Sequence, residues 1–193
     1  MKKARYGDEI NGFDEEYSYG ISGSLLRKES PYFTMCLRYH APLINGSTPS
    51  WDGNISEWSW HYGPDGSEQT YAFSYDKLSQ LMAVKQYVDG VANDLFVEKG
   101  LSYDKNGNIL TLERIANGMM ADQLSYSYSG NQLSALSGSR TGTYAYDQVG
   151  NIIHDGANDL DLTYNPLNLL EKVEDKEGIL AKYTYLGDGT KLS

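Results

Sequence analysis

Few residues in this chain have chemistry to offer. The three histidines, His40, His61 and His154, lie far apart, and none has a second His or Cys at a metal-ligand spacing. The one cysteine, Cys36, falls in the apolar run YFTMCLRY, the setting of a buried, inert thiol. A single cysteine excludes an internal disulfide and a Cys-rich zinc site. There is no G-x-S-x-G elbow, phosphate loop or H-E-x-x-H pair. With 26 acids, carboxylate pairs about 5–10 Å apart arise in any fold, so they give no support to a glycosidase. DKNGN at 104–108 opens like a calcium loop. Its glycine is fourth instead of sixth, and Ile115 stands where a bidentate Glu would close the loop, so it reads as a turn. We therefore expect no catalytic residue, no cofactor and no metal, hence not an enzyme.

One aromatic cluster has two readings. Trp58, Trp60 and Tyr62 alternate along WSWHY and so share one face of a strand, with Trp51 close before them. The first reading is core packing. The second is a platform on which pyranose rings stack.

These residues need elements to position them, and composition says which. The chain has 193 residues, enough for one large or two small domains, with 40% apolar and 22% charged residues. Mean hydropathy is -0.53, and no apolar run approaches the roughly 20 residues of a membrane span. MKKARYGDEI has no apolar stretch behind it and is not a signal peptide. A formal net charge of -10 and a pI near 4.7 argue against nucleic acid and against docking on an anionic membrane. Tyrosine is over-used, 17 against 4 Phe, beside 20 Gly. Tyrosine favours half-buried strand faces and glycine tight turns, so we expect many short strands.

A repeat is visible in EYSYGISGSL, AFSYDKLSQL, LSYDKNGNIL, YSYSGNQL, TYAYDQVGNI, LTYNPLNLL and YTYLGDGTKL. Each copy has a tyrosine, a polar turn and a return on Leu or Ile. The anchors are Tyr19, Tyr75, Tyr103, Tyr128, Tyr146, Tyr164 and Tyr185, with Trp51 in the degenerate copy SWDGNISEW, spaced 18 to 32 residues apart. Tyr71, Phe73 and Tyr75 alternate with Ala72 and Ser74, as Leu124, Tyr126 and Tyr128 do with serines, which is strand periodicity. Asn106-Gly107, Gly130-Asn131 and the Asp-Gly pairs at Asp52, Asp65 and Asp188 are hairpin turn signals. Each copy is then a β-hairpin, and hairpins too weak to stand alone pair side by side into one sheet. Residues 78–98 are the weakest strand candidate and leave room for a helical turn or a long loop. ANGMMADQ at 116–123 reads as a loop or short turn.

The units SYDKNGNIL, AYDQVGNI and SYSGNQL resemble the tyrosine-aspartate (YD) repeats of RHS proteins: polymorphic bacterial toxins, insecticidal toxin-complex cocoons and teneurins. The resemblance runs from about Tyr17 to Ser193. The Tyr-Asp pair itself is kept at Tyr75-Asp76, Tyr103-Asp104 and Tyr146-Asp147; other copies place Gly20, Ser129, Asn165 or Leu186 after the tyrosine. No self-cleavage motif is visible and the chain stops at DGTKLS in mid-repeat, which reads as an internal piece of shell without the self-cleaving core or toxin.

The resemblance implies an all-β chain of consecutive hairpins forming an elongated, curved antiparallel sheet. It implies a single YD-repeat region over 1–193, less regular over 1–100 and tighter over 101–193. It further implies a structural role, as a wall that encloses or presents a C-terminal effector, in a secreted or cell-surface parent. The partners are then the rest of the shell and the effector. The alternative is a carbohydrate-binding repeat on a secreted or cell-wall-associated protein, its platform being Trp58, Trp60 and Tyr62. Exposed sheet edges also predict a homodimer by edge pairing.

Overall fold

The computed structural model describes residues 2–7 and 12–192. Among them there is no helix. Sixteen strands form one open sheet in chain order, each hydrogen-bonded to the next. They are β1 (Lys2–Tyr6), β2 (Phe13–Tyr19), β3 (Leu25–Glu29), β4 (Phe33–Arg38), β5 (Glu57–Tyr62), β6 (Gln69–Tyr75), β7 (Leu81–Val88) and β8 (Val91–Tyr103), followed by β9 (Ile109–Ala116), β10 (Met119–Ser129), β11 (Gln132–Gly138), β12 (Gly142–Tyr146), β13 (Ile152–Asp155), β14 (Leu160–Tyr164), β15 (Leu170–Asp175) and β16 (Gly178–Lys182). By contacts the chain divides into two units, Met1–Ser102 with Glu113–Ala121, and Tyr103–Leu112 with Asp122–Ser193.

In the first unit, period-two alternation separates two unlike faces. On one face the register sets Met35 opposite Trp60, Leu37 opposite Trp58, Trp58 opposite Tyr71 and Phe73 opposite Val84. The other face carries Thr34, Cys36, Arg38, Glu57, Ser59, His61, Thr70 and Ala72. The polar face is the more deeply buried: Glu57 is 0% exposed, Ser59 1% and Thr70 3%, while Trp58 and Trp60 are only half-buried. The long connection between β4 and β5 accounts for this, because it folds back and bonds to Glu57.

In the second unit, Leu124, Tyr126 and Tyr128 share a face with Leu136, Tyr144, Tyr146, Leu160, Leu162, Tyr164 and Val173. Small and polar residues such as Ser125, Ser127, Thr143, His154 and Thr163 fill the other face. Leu112, Leu124 and Leu136 form the buried apolar centre of this unit.

Residues 78–98 are mostly strand, without a helix. β7 and β8 meet at a two-residue turn, Asp89-Gly90, with φ of 50° and 77°, so Val88 pairs with Val91. The alternation is obscured because the register jumps between Lys85 opposite Val97 and Gln86 opposite Asn93, leaving residues 94–96 as a bulge. At 116–123 the turn shrinks to Asn117-Gly118, at φ 52° and 73°, and the flanking residues are strand.

Candidate functional site: the tyrosine turn

The feature the sequence repeats is one piece of backbone geometry. Just after a strand, the N–H of residue i donates to the carbonyl of i+4, and the N–H of i+3 donates back to the carbonyl of i. This turn occurs at 20–24, 76–80, 104–108, 147–151, 165–169 and 186–190, with distances of 2.8–3.2 Å. Residue i+3 is left-handed in every copy, with φ of 84° at Gly23, 61° at Ser79, 85° at Gly107, 95° at Gly150, 57° at Asn168 and 87° at Gly189. Glycine takes that conformation without a Cβ penalty, which is why it dominates the position.

In four of the copies the side chain after the tyrosine holds the turn closed. Asp104 Oδ1 accepts the N–H groups of Asn106 and Asn108 at 2.8 and 2.9 Å, and Oδ2 accepts Asn108 Nδ2 at 2.8 Å. Asp147 repeats this with Val149 and Asn151 at 3.0 and 2.9 Å, and with Asn151 Nδ2 at 2.9 Å. Asp76 and the amide oxygen of Asn165 accept the same two main-chain donors. The side-chain hydrogen bond from Asn108, helped by main-chain donors, holds the Asp104 carboxyl below its usual range. At Asp147 burial pushes upward, but the bonds from Asn151, Val149 and Gly150 outweigh it and the net shift is downward. Both oxygens of Asp104 and of Asp147 thus accept N–H donors, an arrangement that closes a turn and does not present a cage of six to eight oxygens to calcium.

Polar side chains also tie one turn to the next. Asn106 and Asn108 both donate to Asn131 Oδ1, at 3.0 and 3.1 Å. Asn151 donates to Asn168 Oδ1 at 3.3 Å, and Ser79 Oγ to Asp52 Oδ2 at 3.0 Å.

Three of the anchor tyrosines link successive hairpins through their hydroxyls. Tyr75 donates to the Ile55 carbonyl at 2.7 Å, Tyr128 to Ile109 at 2.9 Å and Tyr185 to Leu170 at 2.8 Å. Each acceptor stands just after the turn of the preceding copy. Burial raises the Tyr75 and Tyr128 phenols, so both remain protonated donors at neutral pH. The partner strand bulges by one residue opposite the anchor, so that Tyr19 faces Leu25, Tyr75 Leu81, Tyr128 Leu133, Tyr146 Ile152 and Tyr164 Leu170. Tyr19 is exposed, with Lys2 Nζ over its ring at 5.4 Å. Tyr103 ends β8. Trp51 lies outside the strands, 79% exposed, stacked on His40 at 4.7 Å. The hydroxyl bond to the carbonyl of Leu25, the residue after the 20–24 turn, comes from Tyr39, at 3.0 Å.

Trp58, Trp60 and Tyr71 form a tight cluster. The two indoles are 4.7 Å apart and tilted by 35°, and Tyr71 lies 6.2 and 5.2 Å from them. Tyr62, 70% exposed, packs on Phe33 instead, at 5.4 Å. A groove of about 380 Å³ runs beside Trp58, Tyr71, Phe73 and Phe96, and Trp58 Nε1 is buried with no acceptor.

Sequence reasoning missed Glu57. Its Oε1 accepts the Ile44 N–H at 2.5 Å and Ser47 Oγ at 2.9 Å, its Oε2 accepts the Leu43 N–H at 2.9 Å, and Arg38 lies 3.7 Å away. Beside it, Ser56, 0% exposed, donates to the carbonyls of Tyr39 and Thr48. The available signal was the alternation in SEWSWHY, which puts Glu57, Ser59 and His61 on the face away from the tryptophans. No group of three or more metal-ligating side chains exists among the described residues.

Known proteins agree with the repeat. The sequence profile of the teneurin YD-shell matches residues 16–191. The chain belongs to the teneurin YD-shell family. No curated protein matches it. Among solved structures, TcdB2-TccC3-Cdc42 aligns with 97% of this chain and 14% of that one, at 14% identity and a TM-score of 0.39. TcdB2-TccC3 without its hypervariable C-terminal region aligns over 98% and 13%, at 12% identity and 0.44. TcdB2-TccC3-TEV aligns over 96% and 14%, at 16% identity and 0.42. The chain spans about one seventh of the length of these structures. By the profile match the chain is YD-shell structure, and the tyrosine turn recurs along it as the building module.

Proposed function

We propose that the chain is a stretch of wall in a shell that encloses or presents a C-terminal effector of a secreted or cell-surface parent. Its partners are the remainder of that shell and the effector, and it performs no catalysis. The observation that carries this reading is the use made of the repeated side chains. Tyrosine hydroxyls, turn aspartates and turn asparagines are hydrogen-bonded within or between hairpins. They act on each other, and building hairpins accounts for the repeated residue types. A wall of this kind works by exclusion.

A second reading has one specific observation in its favour. The groove beside Trp58, Tyr71, Phe73 and Phe96 offers aromatic ring faces to a sugar. A second copy pairing along β1 or β16, the two ends of the sheet order, is the corresponding homotypic partner. A glycan array run beside a panel of chromogenic hydrolase substrates separates these readings. The wall reading expects silence in both. Sugar binding abolished by Trp58→Ala or Trp60→Ala establishes the glycan role. Turnover abolished by one carboxylate substitution refutes the non-catalytic reading. Light scattering across a concentration series reports the edge-paired dimer.

A further inference from the structure

We propose that Asn45 is a site of spontaneous deamidation and that the modification loosens the loop clasping Glu57. The chain has four Asn-Gly pairs, at Asn11, Asn45, Asn106 and Asn117, and Asn11 lies outside the described residues. The reaction is intramolecular. Hydroxide removes the proton from the glycine amide, and that nitrogen attacks Cγ of the asparagine. A C–N bond forms, the bond from Cγ to Nδ2 breaks, and Nδ2 leaves as ammonia with a proton from water. Water then opens the five-membered imide at either carbonyl, to aspartate or isoaspartate. Glycine favours the attack because no Cβ obstructs the nitrogen.

Local hydrogen bonding ranks the three described sites. At 106–107 both groups are engaged: the Gly107 N–H donates to the Asp104 carbonyl at 3.2 Å, and Asn106 Nδ2 to Asn131 Oδ1 at 3.0 Å. At 117–118 the nucleophile is engaged, the Gly118 N–H donating to the Leu95 carbonyl at 3.1 Å. At 45–46 neither group is engaged. Among the described residues the Gly46 N–H and the Asn45 carboxamide make no hydrogen bond, and both residues are exposed. A bonded N–H must first be released before it can lose its proton, which slows attack.

The surroundings make the modification consequential. Asn45 and Gly46 are the two central residues of a turn closed by the Ser47 N–H on the Ile44 carbonyl at 3.3 Å, with Gly46 at φ 101°. Ile44 N–H and Ser47 Oγ, on either side, both donate to the buried Glu57 Oε1. Isoaspartate inserts one extra carbon into the main chain between these two donors. Either product also places a new carboxylate in the turn that wraps a buried one.

The test is incubation of the folded chain at mildly alkaline pH, with peptide mapping by mass spectrometry and isoaspartate labelling by a methyltransferase, beside a parallel incubation in urea. We expect Asn45 to react about five-fold or more faster than Asn106 and Asn117, the ratio that corresponds to one net hydrogen bond. In urea the three rates converge. Asn45→Gln removes the dominant product, and the aged wild-type chain exchanges the amides of residues 43–47 faster than the fresh one. Equal rates in the folded chain, or a lead by Asn106 or Asn117, overturn the assignment. Unchanged exchange at 43–47 after conversion overturns the link to Glu57.

Discussion

A tyrosine hydroxyl that reaches back to the preceding hairpin makes a sharp residue-level prediction. Tyr128 bonds the Ile109 carbonyl, whereas Tyr126, half-buried on the same face, makes no such bond. Tyr128→Phe should therefore lower the unfolding free energy by about 1 kcal/mol, and Tyr126→Phe should change it little, as read from denaturant midpoints. The turn aspartates predict a pH dependence of definite sign. Asp104, Asp147 and Asp188 have carboxyls held below the ordinary range, at Asp188 mainly by the Thr190 N–H. The unfolded chain then takes up protons first as pH falls. The stabilisation is complete above the unfolded value of about 3.9 and is lost as pH drops through the lower folded values. Thermal midpoints of wild type and Asp104→Asn should differ at pH 6 and converge under strong acid.

At the scale of the element, the turn and the loop fail in different ways. Gly107 stands at φ 85°, so Gly107→Val should cost about 1–3 kcal/mol through backbone strain. Circular dichroism melting of the variant checks this directly. Glu57→Ala strips the acceptor from three donors and leaves Arg38 beside an emptied site, so the loss should reach about 3–5 kcal/mol. Its amide exchange should rise first at residues 43–47.

The hairpins around Tyr75, Tyr128, Tyr146 and Tyr164 were legible in the sequence because period two and the turn residues agree there. Residues 78–98 were not, because three bulged residues break the alternation, although Asp89-Gly90 was a turn signal in plain view. Glu57 was illegible for another reason. Its partners lie 10 to 14 residues away in an irregular loop, and no periodicity relates a loop to the side chain it folds over. The hydroxyl bonds of Tyr75, Tyr128 and Tyr185 were equally hidden, since they depend on a register that only paired strands establish.

For the whole molecule the proposed role is that of a wall: a row of hairpins whose work is exclusion. Its most direct test is limited proteolysis of the parent protein, following the segment C-terminal to the YD repeats. The account predicts that this segment resists cleavage in the intact parent and is cut rapidly when expressed alone. It also predicts that Gly107→Val in the parent moves the segment toward the rapid rate. Equal cleavage of the segment in the intact parent and in isolation would contradict it.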